Sequence, residues 1–502
     1  MRPTRVAAPV LELPDPSASG VAGSPGRAAR VAAALLLPPL LAACGAWPRV
    51  GTDYPGPPAA RSLSGEQAPS PDDARWQARL PHGGEPADLA RWWRQFDDPA
   101  LDALQDAAQR ESGSIALAAA RITQARAVAV GADAARLPTL DAAAALNRGT
   151  VNLGTSVLVA TQSSAALQAG WEIDLFGRVA RSREAAGARL SARSAEWHDA
   201  RVSVAAEVAG QYLQHRYCEV QVALAQADAA SRAATAAITG HAAAAGFQAP
   251  AAAALARASA AEAAGRLTAQ RAECDATVKA LVALTGLPEP AVRARLAEGA
   301  GRLPAPHEFT VTAVPAGLLA QRPDLAAAER ELAAASADVG VAEGDRLPRL
   351  SLAGSIGPLR LDAGGASATL STWSIGPSVS LPLFDGGRRA AAAEAARAAY
   401  EAAVAQYRDR VRQAVREVEE ALVRLASAAD RDVDARTAAE GYRAAFEAAQ
   451  SRWRAGLGSL LELEETRRLG LLADSNLAAV QRDRVAAWVA LYRALGGGWA
   501  AP

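Results

Sequence analysis

The sequence predicts an α+β membrane protein, made of β-hairpins for a membrane barrel and long antiparallel helical hairpins. Three observations carry that prediction. First, the chain is written twice. Arg136-Leu137-Pro138 recurs as Arg346-Leu347-Pro348, Gly177-Arg178 as Gly387-Arg388, Gly246 as Gly456 and Gly286 as Gly496, each pair 210 positions apart (346 − 136, 496 − 286). One shared offset over that span marks two copies of a structural unit. Second, each copy contains two segments in which apolar and polar residues alternate. Third, each contains a helical run far longer than the three or four turns of an ordinary globular helix.

The N-terminal segment reads as an export signal. Arg27 and Arg30 precede the apolar run Val31–Leu41, and small residues follow up to Cys44. That pattern is secretory, and the run is shorter than the roughly 20 residues that span a bilayer. Pro55, Pro57, Pro58, Pro69 and Pro71 among small polar residues predict an extended linker. Copy one then opens with a helix from about Ser114 to Arg136, stopped by Pro138. Its twin runs from about Leu318 to Arg346, stopped by Pro348. Asp324, just after Pro323, offers negative charge to that helix's N-terminus.

Strands follow in each copy. Leu167, Ala169, Trp171, Ile173 and Leu175 alternate with Gln168, Gly170, Glu172 and Asp174. Trp373, Ile375, Val379, Leu381 and Leu383 alternate with Thr372, Ser374, Ser378 and Ser380. The preceding strands are weaker: Leu140, Ala142, Ala144 and Leu146, then Leu350, Leu352 and Ile356. Segments of about ten residues with one apolar face have the period of a transmembrane barrel; a half-buried soluble sheet would show the same alternation. Leu175-Phe176-Gly177-Arg178 and Leu383-Phe384-Asp385-Gly386-Gly387-Arg388 turn strand into helix, with two extra residues in the second copy.

The helix from Arg388 meets no strong breaker before Gly441, and its pattern continues to Gly456. Val404, Tyr407, Val411, Ala414, Val418, Ala421 and Leu425 form a heptad seam. Roughly 65 residues give a helix of roughly 100 Å. The copy-one counterpart is expected from Arg178 to about Gly240. Glycine turns at Gly246-Phe247-Gln248-Ala249-Pro250 and Gly456-Leu457-Gly458-Ser459 end the long helices, and a returning helix follows each.

Composition narrows the function. The 53 basic residues balance the 53 acidic ones, so no basic excess exists for nucleic acid. The five histidines (His82, His198, His215, His241, His307) show no metal-ligand spacing. No nucleophile elbow or phosphate loop is present. The expectation is a protein without catalytic residues, metal or cofactor.

Several motifs in this order resemble the TolC-type outer-membrane efflux factors, in particular the NodT-like lipoprotein branch. They are Trp92-Trp93-Arg94-Gln95-Phe96-Asp97-Asp98-Pro99, Asp174-Leu175-Phe176-Gly177-Arg178, Arg322-Pro323-Asp324, Leu381-Pro382-Leu383-Phe384-Asp385-Gly386-Gly387-Arg388 and Leu491-Tyr492-Arg493-Ala494-Leu495-Gly496-Gly497-Gly498-Trp499. Leu41-Ala42-Ala43-Cys44 resembles a lipobox, implying a covalent lipid, palmitate included, on Cys44; an incidental cysteine behind a plain signal is the alternative. The resemblance implies residues 1–43 as lipoprotein signal peptide, 44–97 as lipid-anchored linker, 98–300 as the first repeat (β-hairpin 139–175) and 301–502 as the second (β-hairpin 349–383). It also implies a homotrimer in the outer membrane, with a 12-stranded barrel and a periplasmic α-barrel. Partners would be a periplasmic adaptor and an inner-membrane pump of the RND or a related type. Independently, four strands cannot close a barrel, and lipid forbids an open edge. The implied function is passive export of small molecules. Alternatives are a type I protein-secretion conduit and a lipid-anchored periplasmic coiled coil without a pore.

Candidate site residues follow. The family docks its adaptor at the tips, which places Gly246, Leu457, Gly458 and Ser459 there. Glu462 and Glu465 share a helix face and match an acidic ring that narrows the family's entrance. A solvated flank paired with Arg467 and Arg468 is the alternative. Cys218 and Cys274 lie equally far (28 residues) before and after Gly246, so an antiparallel hairpin sets them side by side. In an oxidising periplasm they are expected to form a disulfide; two buried thiols are the alternative. The second copy has no such pair, so its hairpin would be the freer to move in gating.

Overall fold

Alternating polarity and unbroken helical runs translate into the observed order of elements. The computed structural model describes residues 96–152, 157–304 and 322–497, together with Val50, Gly51, Asp53, Tyr54, Gly56 and Trp93. Cys44, the signal segment and most of the linker lie outside these residues. The first half contains α1 (Pro99–Glu111), α2 (Gly113–Ala134), β1 (Thr139–Asn152), β2 (Val157–Ile173), α3 (Arg178–Ala244), α4 (Pro250–Thr285) and α5 (Glu289–Ala297). The second contains α6 (Pro323–Gly344), β3 (Arg349–Ala363), β4 (Ala366–Ser380), α7 (Arg388–Arg454) and α8 (Leu460–Ala494).

The repeat is carried by the backbone itself. Helices α3 and α7 both have 67 residues, about 100 Å, and start 210 positions apart (388 − 178). Helices α2 and α6 keep that offset at both ends (323 − 113, 344 − 134). Helix α3 runs past Gly240 to Ala244, and α7 passes Gly441 unbroken, because one helical glycine costs only about 1 kcal/mol and lateral packing offsets it. The copy-two opening helix starts at Pro323 and not at the expected Leu318: Arg322, held extended by the proline that follows it, is its N-cap. Helices α1 and α5 are additions to the expected order. Asp98 caps α1 by accepting from the backbone N–H of Ala100 (3.1 Å) and Leu101 (3.3 Å).

The strands form one antiparallel meander, β1-β2-β3-β4. Its register puts the expected apolar faces on one side. Ala142 pairs with Leu167, Leu167 with Ile356, and Ile356 with Trp373. The adjacent row, Asp141–Gln168–Ser355–Ser374, lies on the other side. The apolar side is bare: Trp373 is 74% exposed, Ile375 71% and Val379 70%. β1 and β4 are edge strands of 14 and 15 residues.

The helices pack as two long hairpins, α3 on α4 and α7 on α8, with α3 also against α6 and α8. Their main core lies at the waist, where α1, α5 and the start of α6 gather. Leu104, Tyr212, Leu281, Leu296, Leu325, Val418, Leu422 and Trp488 meet there. Within the α7 seam, Tyr407, Ala414, Val418, Ala421 and Leu425 are buried as the heptad requires. Arg322, itself buried, donates to both oxygens of Asp324 (2.9 and 2.7 Å), to Glu417 on α7 (2.9 Å) and to the Ala494 carbonyl ending α8 (2.9 Å). The Arg-Pro-Asp motif thus ties three helices together.

At the strand–helix junctions the two copies use different aspartates for one task. Asp174 accepts from the N–H groups of Val179 (3.0 Å) and Ala180 (2.7 Å). Asp385, within the two-residue insertion, accepts from those of Gly387 (3.1 Å) and Arg389 (3.2 Å). Each carboxylate neutralises a helix N-terminus.

Candidate functional site at the helical tips

Both tips are built by the same backbone device. Gly246 donates to the Ala243 carbonyl (3.1 Å) and Phe247 to that of Ala242 (2.8 Å); Gly456 donates to Trp453 (3.0 Å) and Leu457 to Arg452 (2.8 Å). This closing pattern needs a residue in the left-handed region, and Gly246 and Gly456 have φ of +79° and +74°. Proline at the first position of α4 and Ser459, whose hydroxyl accepts from the Glu462 N–H (3.1 Å), start the returning helices. Of the expected docking residues, Leu457 is open to solvent at 74%, and Phe247, not among them, at 84%. Gly458 is more constrained: a Cβ there would sit 3.2 Å from the Trp453 backbone nitrogen.

The three glutamates beyond the second tip separate by face. Glu462 is paired with Arg452 across the turn (2.7 Å) and Glu465 with Arg468 (2.6 Å), both exposed. Glu464 turns inward. It accepts from Arg232 on α3 (2.9 Å), shares Ser259 of α4 (3.1 Å) and pairs with Arg467. Arg232 also donates to Asp228 (2.7 Å) and Ser259 (2.6 Å), and Arg467 donates to Thr235 (3.2 Å) and lies over the Phe446 ring. Asp228, Arg232 and Arg467 are buried, and the Nε of Arg467 has no partner. Burial pushes the Arg467 pKa down, while Glu464 pulls it back up. This cluster joins the first hairpin to the returning helix of the second. Sequence reasoning missed it: the signal was a glutamate between Glu462 and Glu465 on the opposite helix face.

Farther up the first hairpin, Cys218 and Cys274 are joined as a disulfide, with Cα atoms 5.5 Å apart. Near it, His215 faces Thr277 (2.8 Å) and Glu219 (3.3 Å). Burial raises the Glu219 pKa, but hydrogen bonds from His215, the Gly301 N–H and Arg216 outweigh it and hold the group at about 2.

A family model described as outer membrane efflux protein matches residues 104–287 and 314–497, one segment for each repeat. The chain belongs to this family. The efflux protein is 32% identical over 445 residues to the pyoverdine export outer membrane protein OpmQ of Pseudomonas putida, covering 85% of this chain and 92% of that one. It is 30% identical over 474 residues to nodulation protein T of Rhizobium leguminosarum bv. viciae, covering 94% of each. Among solved structures, the outer-membrane channel OprN is 30% identical with a TM-score of 0.78, over 90% of this chain and 99% of that one. The Campylobacter jejuni CmeC channel, at 22% identity and a TM-score of 0.79 over 90% of this chain and 95% of that one, shares the fold.

Proposed function

We propose that three copies of this efflux protein pool their sheets into a 12-stranded barrel in the outer membrane and serve as the passive exit duct of a tripartite pump. The carrying observation is a four-stranded sheet with an exposed apolar band on one face, through Leu167, Ile356, Trp373 and Ile375, and two unpaired edges. A 14-residue edge leaves roughly seven residues' outward N–H and C=O groups unpaired, each costing several kcal/mol in hydrocarbon. Closure with other copies under a cyclic symmetry removes that cost, and the trimeric channels of the family set the number at three. The 67-residue helices reach about 100 Å from the sheet, enough to bring the tips to a periplasmic adaptor and, through it, an inner-membrane pump. A lipid on Cys44 would add a second membrane anchor.

Small molecules are favoured as cargo over secreted protein, because relatives are named for exporting pyoverdine, solvents and toluene. The duct moves them without chemistry of its own. Purified protein in a planar bilayer should give stepwise ionic conductance. A trimer that inserts but never conducts would refute the duct in favour of a lipid-anchored coiled coil.

A further inference from the structure

The Cys218–Cys274 disulfide presents its two residues to different surroundings. Cys218 is fully buried. Cys274 is half-buried and lines a cavity of about 470 Å³ bordered by α3, α4 and α5, a size that admits a small molecule. Buried Val278 and Leu296 give this cavity an apolar wall, and His215, Glu219, Arg271, Asp275 and Arg293 supply its polar lining.

Most of those charges are engaged. His215 and Arg216 hold Glu219 (3.3 and 2.9 Å), and Arg293 holds Asp275 (2.7 Å) and Glu289 (2.8 Å). Arg271 differs. It donates to the neutral side chain of Gln226 (3.4 Å), and among the described residues no carboxylate pairs with it. A guanidinium has further N–H donors to offer an anion. Arg271 also lies three residues before Cys274, on the same face of α4. The buried sulfur is provided for in both oxidation states. The Gln270 side-chain N–H donates to Cys218 Sγ (3.2 Å), as a thiolate requires. The Gln270 backbone carbonyl lies 3.5 Å from the same sulfur, placed to accept from a thiol S–H.

We infer that Cys274 is a thiol-exchange site for a small carboxylate-bearing thiol, with Cys218 as the leaving group. The thiol enters as its thiolate, the nucleophilic form. Its sulfur attacks Cys274 Sγ and forms a mixed disulfide there. The Cys218–Cys274 bond breaks, and its electron pair leaves on Cys218 Sγ, which then takes a proton from water. The incoming sulfur is oxidised and Cys218 is reduced, so no further oxidant is needed. Arg271 receives the carboxylate, and Val278 and Leu296 face the carbon chain. The product is a thiolated Cys274 and a reduced Cys218, with the link between α3 and α4 open. Return attack by Cys218 expels the thiol and restores the link.

The test uses the full-length protein in outer membranes, with adducts mapped by mass spectrometry after proteolysis. The wild-type protein, given reduced glutathione and quenched with acid, should carry glutathione on Cys274 and a thiol at Cys218. An adduct on Cys218 instead, or none as the disulfide is reduced, would overturn the assignment without any substitution. Cys218→Ala and Cys274→Ala then leave one thiol of the pair each. With glutathione disulfide, Cys274 should be thiolated at least about tenfold faster than Cys218, as its access requires. Equal rates would overturn the choice of sulfur. Arg271→Gln in the Cys218→Ala background should slow the reaction several-fold with glutathione disulfide and leave it unchanged with uncharged hydroxyethyl disulfide. Equal slowing with both, or with neither, would overturn the recognition of an anion.

Discussion

Glu464 and Glu465 are neighbours in sequence and opposites in setting. Glu465 and Arg468 are half exposed or more, and such surface pairs contribute about 0–1 kcal/mol. Glu464 faces two buried guanidinium groups, and removing one partner of a buried pair typically costs about 3–5 kcal/mol. Glu464→Gln should therefore lower the thermal unfolding midpoint of the purified protein by several degrees. Glu465→Gln should shift it by no more than about a degree, and equal shifts would sink the distinction. Glu219 gives a pH signature. Its folded pKa of about 2 lies below the ordinary 4.5. Its contribution is thus full above about pH 4.5 and is lost as pH falls toward 2. Glu219→Gln should flatten the decline in thermal stability over that window, and an unchanged acid profile would refute it.

At the scale of elements, the two helical hairpins are alike in length and unlike in restraint. The disulfide ties α3 to α4, whereas the twin positions in α7 and α8 are Ala428 and Arg484. A cross-link closing a loop of this size contributes typically 2–4 kcal/mol. Cys218→Ala should speed amide exchange several-fold around residues 218 and 274 while leaving α7 and α8 unchanged; equal acceleration in both hairpins would show that the staple is not local. The buried cluster at Glu464 ties α8 to the stapled hairpin, so movement of α7 and α8 must break it. The tips invite a separate test. Leu457→Asp alters an exposed apolar residue without crowding the backbone, unlike any substitution at Gly458. It should leave assembly intact and reduce efflux at least tenfold, measured by drug accumulation in whole cells. Undiminished efflux would place docking elsewhere.

At the scale of the whole molecule, three copies would bring three pairs of Glu462 and Glu465 together at the entrance. Their exposure and their arginine partners on one chain leave that arrangement to the assembly. If they form a ring, Glu462→Gln/Glu465→Gln should reduce cation-over-anion selectivity several-fold and weaken block by trivalent cations in single-channel recordings. Unaltered reversal potentials would assign both residues to a solvated flank.

The repeat, the strand faces and the tips were legible in the sequence because each has a local cause. Strand alternation has a period of two, a heptad seam three and a half, and a left-handed turn calls for glycine. The Cys218–Cys274 pairing was legible because an antiparallel hairpin converts equal distance from a turn into contact. Helices α1 and α5 were not legible: they are short, and their stability comes from the waist they pack into. Nor was the inward face of Glu464, since a helix presents residues all round and only its neighbours decide which face is buried. The two-residue insertion at Asp385 could be counted in the sequence, but its capping role could not be read, because the bond depends on where the junction places the carboxylate. The sequence by itself determined the element order and the periodic faces, which follow from covalent geometry and side-chain period. Only the tertiary structure decided which charges are buried together and which surfaces stay open, because both depend on contacts between residues far apart in the chain.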